Sequence, residues 1–424
     1  MTAGMSQIRK RSKPYVFRRG LLSTVAVIGT IAANVAGTAP AALAADVQSK
    51  QWYLDAMGAE EIWKTSTGKG IKVAVIDTGV NSSTPALTGQ VQKGLDLTNV
   101  AGEATDDYDG HGTTMAELIA GTGRGGGLRG LAPDVKIIPY RIADENFEAK
   151  RKVNDWDVKE AIRAAADSDA QIISMSFGSK YWIAEEEEAV KYAQSKGKLF
   201  FAPVGNSAKK GNKPEYPANY AEVVGVAATG SDGEVADYSQ HGDFVDIAAP
   251  GNDIPYWCDE TFKRYCDGDG GTSAATAITS AAAALIWSAH PDWTGNQVLR
   301  VMFESAGRGD GWKKGTVSNY LGYGVVRPGA HINRGVGKPG DPNVNPLTNE
   351  RVGGSSGSSA SPNPSAPASS QAPKPKPGSN TTVAGSSSES SDGSGQLGWV
   401  LGAVAAVVVI GGGAVAILRK RRSA

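Results

Sequence analysis

The 424-residue sequence has few residues that bind metals or form cross-links, since it contains only two cysteines and four histidines. No catalytic base lies near Cys258 or Cys266, which argues against a thiol nucleophile. In an exported chain, two closely spaced cysteines predict one disulfide that closes a small loop. Net charge is also absent, with 43 basic and 43 acidic residues, and this argues against nucleic acid as a partner.

Of the four histidines, only His111 stands between glycines at the start of a predicted helix, Thr113–Gly121. The positive end of a helix dipole favours a neutral imidazole, which suits a general base. Asp106, Asp107 and Asp109 lie close to His111 in the sequence and suggest a metal cluster as an alternative. We predict no metal site, because two other stretches complete a catalytic triad with His111.

The first of these stretches is the apolar run Val73–Ile76, which predicts a buried parallel strand and ends at Asp77. Catalytic groups of open α/β sheets gather at the carboxyl ends of strands. The second is the predicted helix Ser273–Ala289, which follows two glycines and a threonine. Its first N–H groups have no intrahelical acceptor and can stabilise an oxyanion. The order Asp77, His111, Ser273 is one of the known orders of the serine peptidase triad.

Asn206 follows a fourth apolar stretch, the predicted strand Leu199–Pro203. An amide at a strand end can hold an oxyanion together with the N–H of Ser273. Taken alone, Gly-Asn after a strand is more often a turn. Beside the three other motifs we interpret Asn206 as an oxyanion donor.

Five motifs resemble those of the subtilisin-type serine peptidases (subtilases): VAVIDTGV, DGHGTTMA, SMSFG, APVGN and GTSAATA. The resemblance extends from about Gln51 to Gly335. The layout of the chain is also similar to the mycosins, membrane-anchored subtilases that accompany type VII secretion. The resemblance implies that Asp77, His111 and Ser273 form the triad and that Asn206 is the oxyanion donor. It assigns substrate binding to Ser176, Phe177, Gly178, Gly205 and Glu215.

The same resemblance implies a cis peptide bond at Tyr216-Pro217, beside the pocket for the P1 residue (the residue before the scissile bond). It places Glu215 at the base of that pocket, which would favour Lys or Arg at P1. The alternative is that Glu215 points to solvent or pairs with Lys213. Ala274 and Ala277 depart from the Met and Pro of many subtilases.

Apolar strands alternate with helices, which predicts an α/β fold with a subtilisin-like parallel sheet flanked by helices on both faces. The predicted strands are Val73–Ile76, Val135–Tyr140, Gln171–Met175, Leu199–Pro203 and Val223–Ala227. The predicted helices are Thr113–Gly121, Val153–Asp167, Ile183–Ser195, Ser273–Ala289 and Gly295–Ser305. The peptidase domain is predicted to span residues 71–336.

The N-terminal residues 1–45 have the pattern of a signal peptide, with a basic region followed by an apolar run. Cleavage is predicted after Ala44 or Ala45, and an uncleaved anchor is the alternative. Residues 46–70 are predicted to form an arm that wraps the domain through Trp52, Leu54, Ile62 and Trp63. This arm leaves no room for the folding-assistant prodomain of secreted subtilisins.

The composition changes near Gly335, and residues 337–396 are predicted to be a disordered linker rich in Pro, Ser and Gly. Residues 397–418 lack charge and are long enough for a transmembrane helix. The basic tail, residues 419–424, predicts a single pass with the catalytic domain outside the cytoplasm. A sortase signal is disfavoured, because no sorting motif precedes the apolar run.

The sequence therefore predicts a membrane-anchored, extracytoplasmic serine endopeptidase that acts on proteins or peptides, in association with type VII secretion. The alternative is a structural component of a secretion complex with incidental protease activity. No cofactor is predicted, and the calcium sites common among subtilases cannot be read from the sequence.

Overall fold

The computed structural model describes residues 47–143, 158–268, 270–309, 312–313 and 316–352. The predicted signal peptide (residues 1–45), the transmembrane helix (397–418) and the basic tail lie outside the described residues. So do most of the predicted linker and Asp269, which precedes the serine motif.

The described residues form an α/β domain. The strands are β1 (Lys72–Asp77), β2 (Leu95–Asp96), β3 (Lys136–Arg141), β4 (Ile172–Met175), β5 (Leu199–Pro203), β6 (Val224–Thr229), β7 (Ile247–Pro250), β8 (Tyr256–Trp257) and β9 (Tyr265–Cys266). The helices are α1 (Trp52–Met57), α2 (Ala59–Trp63), α3 (His111–Ala120), α4 (Val158–Asp167), α5 (Ala184–Ser195), α6 (Thr272–Ala289), α7 (Gly295–Ser305) and α8 (Pro328–Ile332).

Seven strands form one parallel sheet in the order β2-β3-β1-β4-β5-β6-β7, whereas β8 and β9 form a separate antiparallel hairpin. The five predicted sheet strands are confirmed within one or two residues. The sequence analysis missed β2 and β7, which lie at the two edges. The two residues of β2 are too few to show a period, and β7 contains Pro250, which a strand tolerates at an edge.

Helices cover both faces of the sheet, as predicted. Val73 and Val75 of β1 face a core formed with α3, α6 and α7. Ala74 and Ile76 point the other way, into a core formed with α4 and α5. The alternation places apolar side chains on both faces of β1, which explains why its sequence is continuously apolar.

The N-terminal arm packs on the domain in the predicted way and adds α1 and α2. The indole N–H of Trp52 donates to the Asn252 carbonyl at 3.1 Å, and that of Trp63 donates to the Leu131 carbonyl at 2.8 Å. Ile62 is fully buried.

The boundary of the linker differs from the prediction, because residues 337–352 also pack on the domain. The Pro342 carbonyl accepts hydrogen bonds from Thr294 Oγ1 and Asn296 Nδ2, each at 3.0 Å. Asn345 is buried, and Leu347 packs against the core. The prediction was wrong for this segment because main-chain hydrogen bonds hold much of it in place. Such bonds do not depend on the side chains, so the composition does not reveal them.

Among the described residues, one helix, α6, is long and apolar enough to cross a membrane, and 83% of its apolar window is buried inside the domain. This helix is therefore part of the core.

Candidate active site

The carboxyl end of β1 meets the first residue of α3, and this junction pairs Asp77 with His111. His111 Nδ1 lies 2.7 Å from Asp77 Oδ1, which also accepts the Thr78 N–H at 2.8 Å. Asp77 is 2% exposed. The strand and the helix approach so closely that a Cβ on Gly112 would collide with the Gly79 carbonyl, which explains the glycine after His111.

Asp107, which the sequence analysis named only in the alternative of a metal cluster, holds the start of α3. Its Oδ1 accepts hydrogen bonds from the Thr78 hydroxyl and from the N–H groups of residues 109 and 110. Its Oδ2 accepts from the N–H and the hydroxyl of Thr113. Thr78 Oγ1 in turn accepts the Gly112 N–H at 2.9 Å. Asp107 therefore fixes the backbone on both sides of His111.

These contacts argue against the alternative of a metal cluster. Both oxygens of Asp107 are occupied by donors from the chain itself. Within the described ranges, no group of three or more His, Cys, Asp or Glu side chains converges on a point where a metal ion could bind.

The electrostatics of His111 differ from the expectation based on the helix dipole. Burial acts to lower its pKa, but the charge and hydrogen bond of Asp77, followed by the charges of Asp109 and Asp107, raise the pKa to about 9. Although the ring is enclosed by protein, its side chain is about a third exposed, at 35%, so solvent screens part of this shift. The expectation of a lowered pKa was wrong because it omitted three nearby carboxylates.

Ser273 is the second residue of α6, where a helix N–H has no intrahelical acceptor. Its hydroxyl donates to the Ser176 carbonyl at 2.9 Å. A hydroxyl has only one proton to donate, so transfer of this proton to His111 first requires the O–H to rotate about the Cβ–Oγ bond, away from the Ser176 carbonyl. Ser273, His111 and Asn206 line the same cavity of about 340 Å³.

Asn206 is held by Thr272, the residue before Ser273. Its Oδ1 accepts both the N–H and the hydroxyl of Thr272, each at 2.9 Å. Because two donors fix the oxygen, the amide nitrogen must point the other way. Nδ2 lies 3.6 Å from the position that a Cβ would take on Gly271. The sequence analysis missed this role of Thr272, although the threonine stands inside the GTS motif.

The structure also brings together the residues assigned to substrate binding. Glu215 Oε2 would lie 2.9 Å from a Cβ on Gly178 and 2.8 Å from one on Gly205. The carboxylate of Glu215 therefore lies against the main chain that follows β4 and β5, where Ser176 and Phe177 directly precede Gly178 in the chain. The peptide bond between Tyr216 and Pro217 is cis, as predicted.

The hairpin of β8 and β9 forms a further wall of the cavity, through Tyr256 and Trp257. The predicted disulfide between Cys258 and Cys266 is present and closes this hairpin. The disulfide thus closes the small loop that the sequence predicted, and this loop lies beside the serine helix. The sequence analysis did not assign Tyr256 or Trp257 to the site, and their position next to Cys258 was the available signal.

A family model described as the subtilase family, Peptidase_S8, matches residues 68–324. Thermitase of Thermoactinomyces vulgaris is 32% identical over 281 residues, which cover 64% of this chain and 95% of thermitase. The residues matched by the family model include all the motifs quoted above.

Two solved structures of mycosins are similar to this chain. MycP1 from Mycobacterium smegmatis has a TM-score of 0.56 and 26% identity, over 69% of this chain and 86% of MycP1. The MycP3 protease from the type VII (ESX-3) secretion system has a TM-score of 0.55 and 27% identity, over 66% of this chain and 88% of MycP3. These similarities confirm the resemblance to subtilases and, within them, to mycosins.

Proposed function

We propose a role for each side chain of the site from one premise: the chain belongs to the subtilase family and is a subtilisin-like serine peptidase. Ser273 is the nucleophile, His111 the general base, and Asp77 the residue that orients His111. Asn206 and the N–H of Ser273 stabilise the oxyanion. The observation that carries this proposal is the 2.7 Å contact of His111 Nδ1 with the buried Asp77, in a cleft shared with Ser273.

The chemistry is acyl transfer and needs no cofactor. Because Nδ1 of His111 donates its proton to Asp77, Nε2 is the nitrogen that can accept the Ser273 proton. Ser273 Oγ attacks the scissile carbonyl, whose oxygen becomes an anion that receives hydrogen bonds from Asn206 Nδ2 and the Ser273 N–H. His111 then protonates the leaving amine, and water hydrolyses the acyl-enzyme.

Covalent labelling with a fluorophosphonate probe tests the assignment of the nucleophile. We expect one labelled peptide, containing Ser273, and loss of the label in Ser273→Ala. Ser280→Ala is the matched control, because Ser280 lies on the same helix and its buried hydroxyl has no hydrogen-bond partner among the described residues. A folded protein that takes no label, or that keeps its label in Ser273→Ala, would contradict the proposal.

We propose further that Glu215 sets a preference for Lys or Arg at P1. The support is its position against Gly178 and Gly205, the two main-chain segments assigned to the walls of this pocket. A carboxylate in a partly desolvated cleft stabilises an opposite charge. We expect Glu215→Gln to lower kcat/KM for P1 Lys by roughly 10-fold, because the substitution removes the carboxylate that stabilises the lysine ammonium group. A tenfold change corresponds to about 1.4 kcal/mol.

A peptide panel varied at P1 measures this preference in the wild type and in Glu215→Gln. P1 Leu peptides are the internal control, because their side chains carry no charge for Glu215 to stabilise. If the wild type prefers Phe or Leu and the substitution changes nothing, Glu215 does not determine the charge of the pocket.

The similarity to MycP1 and MycP3, the latter a protease of a type VII secretion system, supports a role in type VII secretion here. The apolar residues 397–418 support anchoring in the cell membrane, with the catalytic domain outside the cytoplasm. Under this proposal the full chain fractionates with membranes, and a chain that ends at residue 396 does not. Recovery of both chains in the soluble fraction would exclude this anchor.

The alternative, a structural component of a secretion complex, is separated from a catalytic role by complementation. If the peptidase activity is required, Ser273→Ala fails to restore secretion in a strain that lacks the gene, whereas Ser280→Ala restores it. Full restoration by a Ser273→Ala protein would favour the structural role.

A further inference from the structure

We propose that His290 and His331 form an acid-sensitive latch, which holds α8 and the residues after it on the domain and opens when both imidazoles are protonated. His331 Nε2 lies 2.9 Å from His290 Nε2. Neither histidine lines the catalytic cavity, so the inference does not depend on the catalytic roles proposed above.

The latch joins two elements that are distant in the chain. His290 directly follows α6, and His331 lies on α8 with 8% of its surface exposed. α8 packs against α6, against α7 and against α2 of the N-terminal arm. Five residues after His331 the chain reaches Val336, from which segment 337–352 continues. The contact between the imidazoles therefore fixes the point where this segment leaves the core.

The hydrogen-bond partners determine which nitrogens carry protons. His331 Nδ1 lies 2.9 Å from the Val336 carbonyl, which can only accept, so Nδ1 is the donor. A neutral imidazole has a single N–H, so Nε2 of His331 is an acceptor. The Nε2–H of His290 therefore donates to it, and one proton lies between the two rings.

An aromatic stack holds the ring of His290 in place. Its centroid lies 3.8 Å from that of Trp293, and the two planes differ by 7°. The Trp287 indole N–H, in the last turn of α6, donates to the Trp293 carbonyl at 2.9 Å. The stack is therefore fixed to the end of α6, and it keeps Nε2 of His290 facing His331.

This arrangement limits how many protons the closed latch can bind. One additional proton can enter at Nδ1 of His290 without disturbing the bond between the rings. A second would place N–H groups on both facing nitrogens and bring two positive rings into contact. Two separated imidazoles in water each accept a proton near pH 6.5. Acid therefore favours the open form, because the open form binds more protons.

The elements packed against the latch also carry charges. The charged groups on these elements and beside them are Glu60 and Glu61, which pair with Arg129 and Lys64, then Asp292, Arg300, Glu304, Arg334 and Lys338. Burial lowers the pKa of His290, and the charge of His331 lowers it further. Because this pKa lies below its ordinary value of 6.5, the closed latch is favoured above about pH 6.5 and loses stability as pH falls below it.

Hydrogen exchange followed by mass spectrometry tests the latch in the full-length chain, solubilised in detergent. Exchange is measured between about pH 7.5 and pH 5, with times adjusted for the intrinsic effect of pH on exchange. In the wild type we expect the opening constant of peptides that cover residues 328–340 to rise by up to tenfold per pH unit below about 6.5, since opening takes up one more proton. Peptides from β1 and α3 should keep their protection.

His290→Gln and His331→Gln retain hydrogen-bonding groups but do not titrate in this range, so in both variants protection of residues 328–340 should not depend on pH. His241→Gln is the matched control that keeps the wild-type dependence, because His241 stacks on Tyr320 instead of facing a histidine. Circular dichroism checks that each variant is folded, and the two positions supply two independent variants.

Three results overturn the inference. The first is protection of residues 328–340 that does not change with pH in the wild type. The second is a folded His290→Gln or His331→Gln protein with the wild-type pH dependence. The third is an equal loss of protection in all peptides, which means that acid unfolds the whole domain rather than the latch.

Discussion

At the scale of single residues, the site depends on side chains that orient other side chains. Thr272 orients the side-chain amide of Asn206 because it donates two hydrogen bonds to the amide oxygen. Asp107 fixes the backbone around His111 by accepting hydrogen bonds from it. Asp77 is buried and keeps one oxygen, Oδ2, without a hydrogen-bond partner among the described residues. Burying each of these polar groups costs free energy of desolvation. Each of them lies beside a residue that is proposed to act on the substrate.

Replacing Asn206 by Ala removes the side-chain donor of the proposed oxyanion site. We expect kcat to fall by about 10²–10³-fold while KM changes little, because the donor acts mainly in the transition state. Thr272→Val keeps the shape but loses one of the two donors to Asn206, so its loss of kcat should be smaller. Steady-state kinetics on one peptide checks both, and a kcat within about threefold of wild type in Asn206→Ala would exclude the oxyanion role.

The charges around His111 predict how activity depends on pH. Protonated His111 cannot accept the Ser273 proton, so kcat/KM rises with pH through the pKa of the free enzyme, which the carboxylates raise from 6.5 towards about 9. Asp109→Asn removes one of these charges and should lower the kinetic pKa by roughly 0.3–1 unit. Asp106→Asn is the control, because Asp106 is not among the charges that raise this pKa. Equal pH profiles for both variants and the wild type would contradict this account.

At the scale of elements, α3 links the catalytic histidine to the disulfide-closed hairpin through Glu117. This side chain is fully buried and accepts hydrogen bonds from Thr84 at 2.8 Å and from Tyr265 at 2.6 Å. Burial raises the pKa of Glu117 to about 7, and the hydrogen bonds from Tyr265 and Thr84 only partly offset this. The folded protein therefore holds a proton at Glu117 under conditions where the unfolded chain does not.

This proton makes stability depend on pH. Because the folded pKa lies above the unfolded value, the contribution is fully present below about pH 4.5 and is lost as pH rises through about 7. A shift of this size corresponds to roughly 3 kcal/mol. We expect the free energy of unfolding of the wild type to fall by about that amount relative to Glu117→Gln across this window.

Urea unfolding at several pH values checks the prediction, and the difference from the variant removes contributions that both proteins share. Glu188→Gln, an exposed substitution on α5, should show no such pH-dependent difference. A constant difference between the wild type and Glu117→Gln would mean that Glu117 keeps its ordinary pKa.

At the scale of the whole molecule, the domain extends past the compositional change near Gly335. Glu304 accepts the Lys338 N–H at 2.9 Å, and the Pro342 carbonyl bonds to the start of α7. Residues 337–352 thus connect the core to the remaining C-terminal residues, which the sequence predicts to be a linker and an anchor.

Two truncated chains test where the peptidase domain ends: after Val336, as the sequence predicts, or after Val352, as the structure shows. A chain that ends after Val352 should have the same Tm as the chain that ends at residue 396. A chain that ends after Val336 loses the packing of Leu347 and these hydrogen bonds, and its Tm should be lower by roughly 2–8 °C. Thermal unfolding followed by circular dichroism checks this, and equal Tm values for both truncations would show that residues 337–352 do not stabilise the domain.

The sequence by itself determined the fold class and the position of the candidate triad. Short apolar strands and glycine-flanked polar residues have local signals, because backbone sterics and hydrophobic periodicity act within a few residues. These signals located Asp77, His111, Asn206 and Ser273, and the two cysteines were enough to predict the disulfide.

Only the tertiary structure decided which side chains support the site. The roles of Thr272 and Glu117 arise from contacts with residues that are distant in the sequence, Asn206 and Tyr265. Trp257 had only its position next to Cys258 as a local signal. The raised pKa of His111 depends first on Asp77, which lies 34 residues away in the sequence and is brought to the imidazole by folding. Segment 337–352 lacks an apolar pattern and is held by main-chain contacts, so composition could not reveal its packing. Long-range burial and electrostatics depend on distances in space, which a linear pattern does not contain.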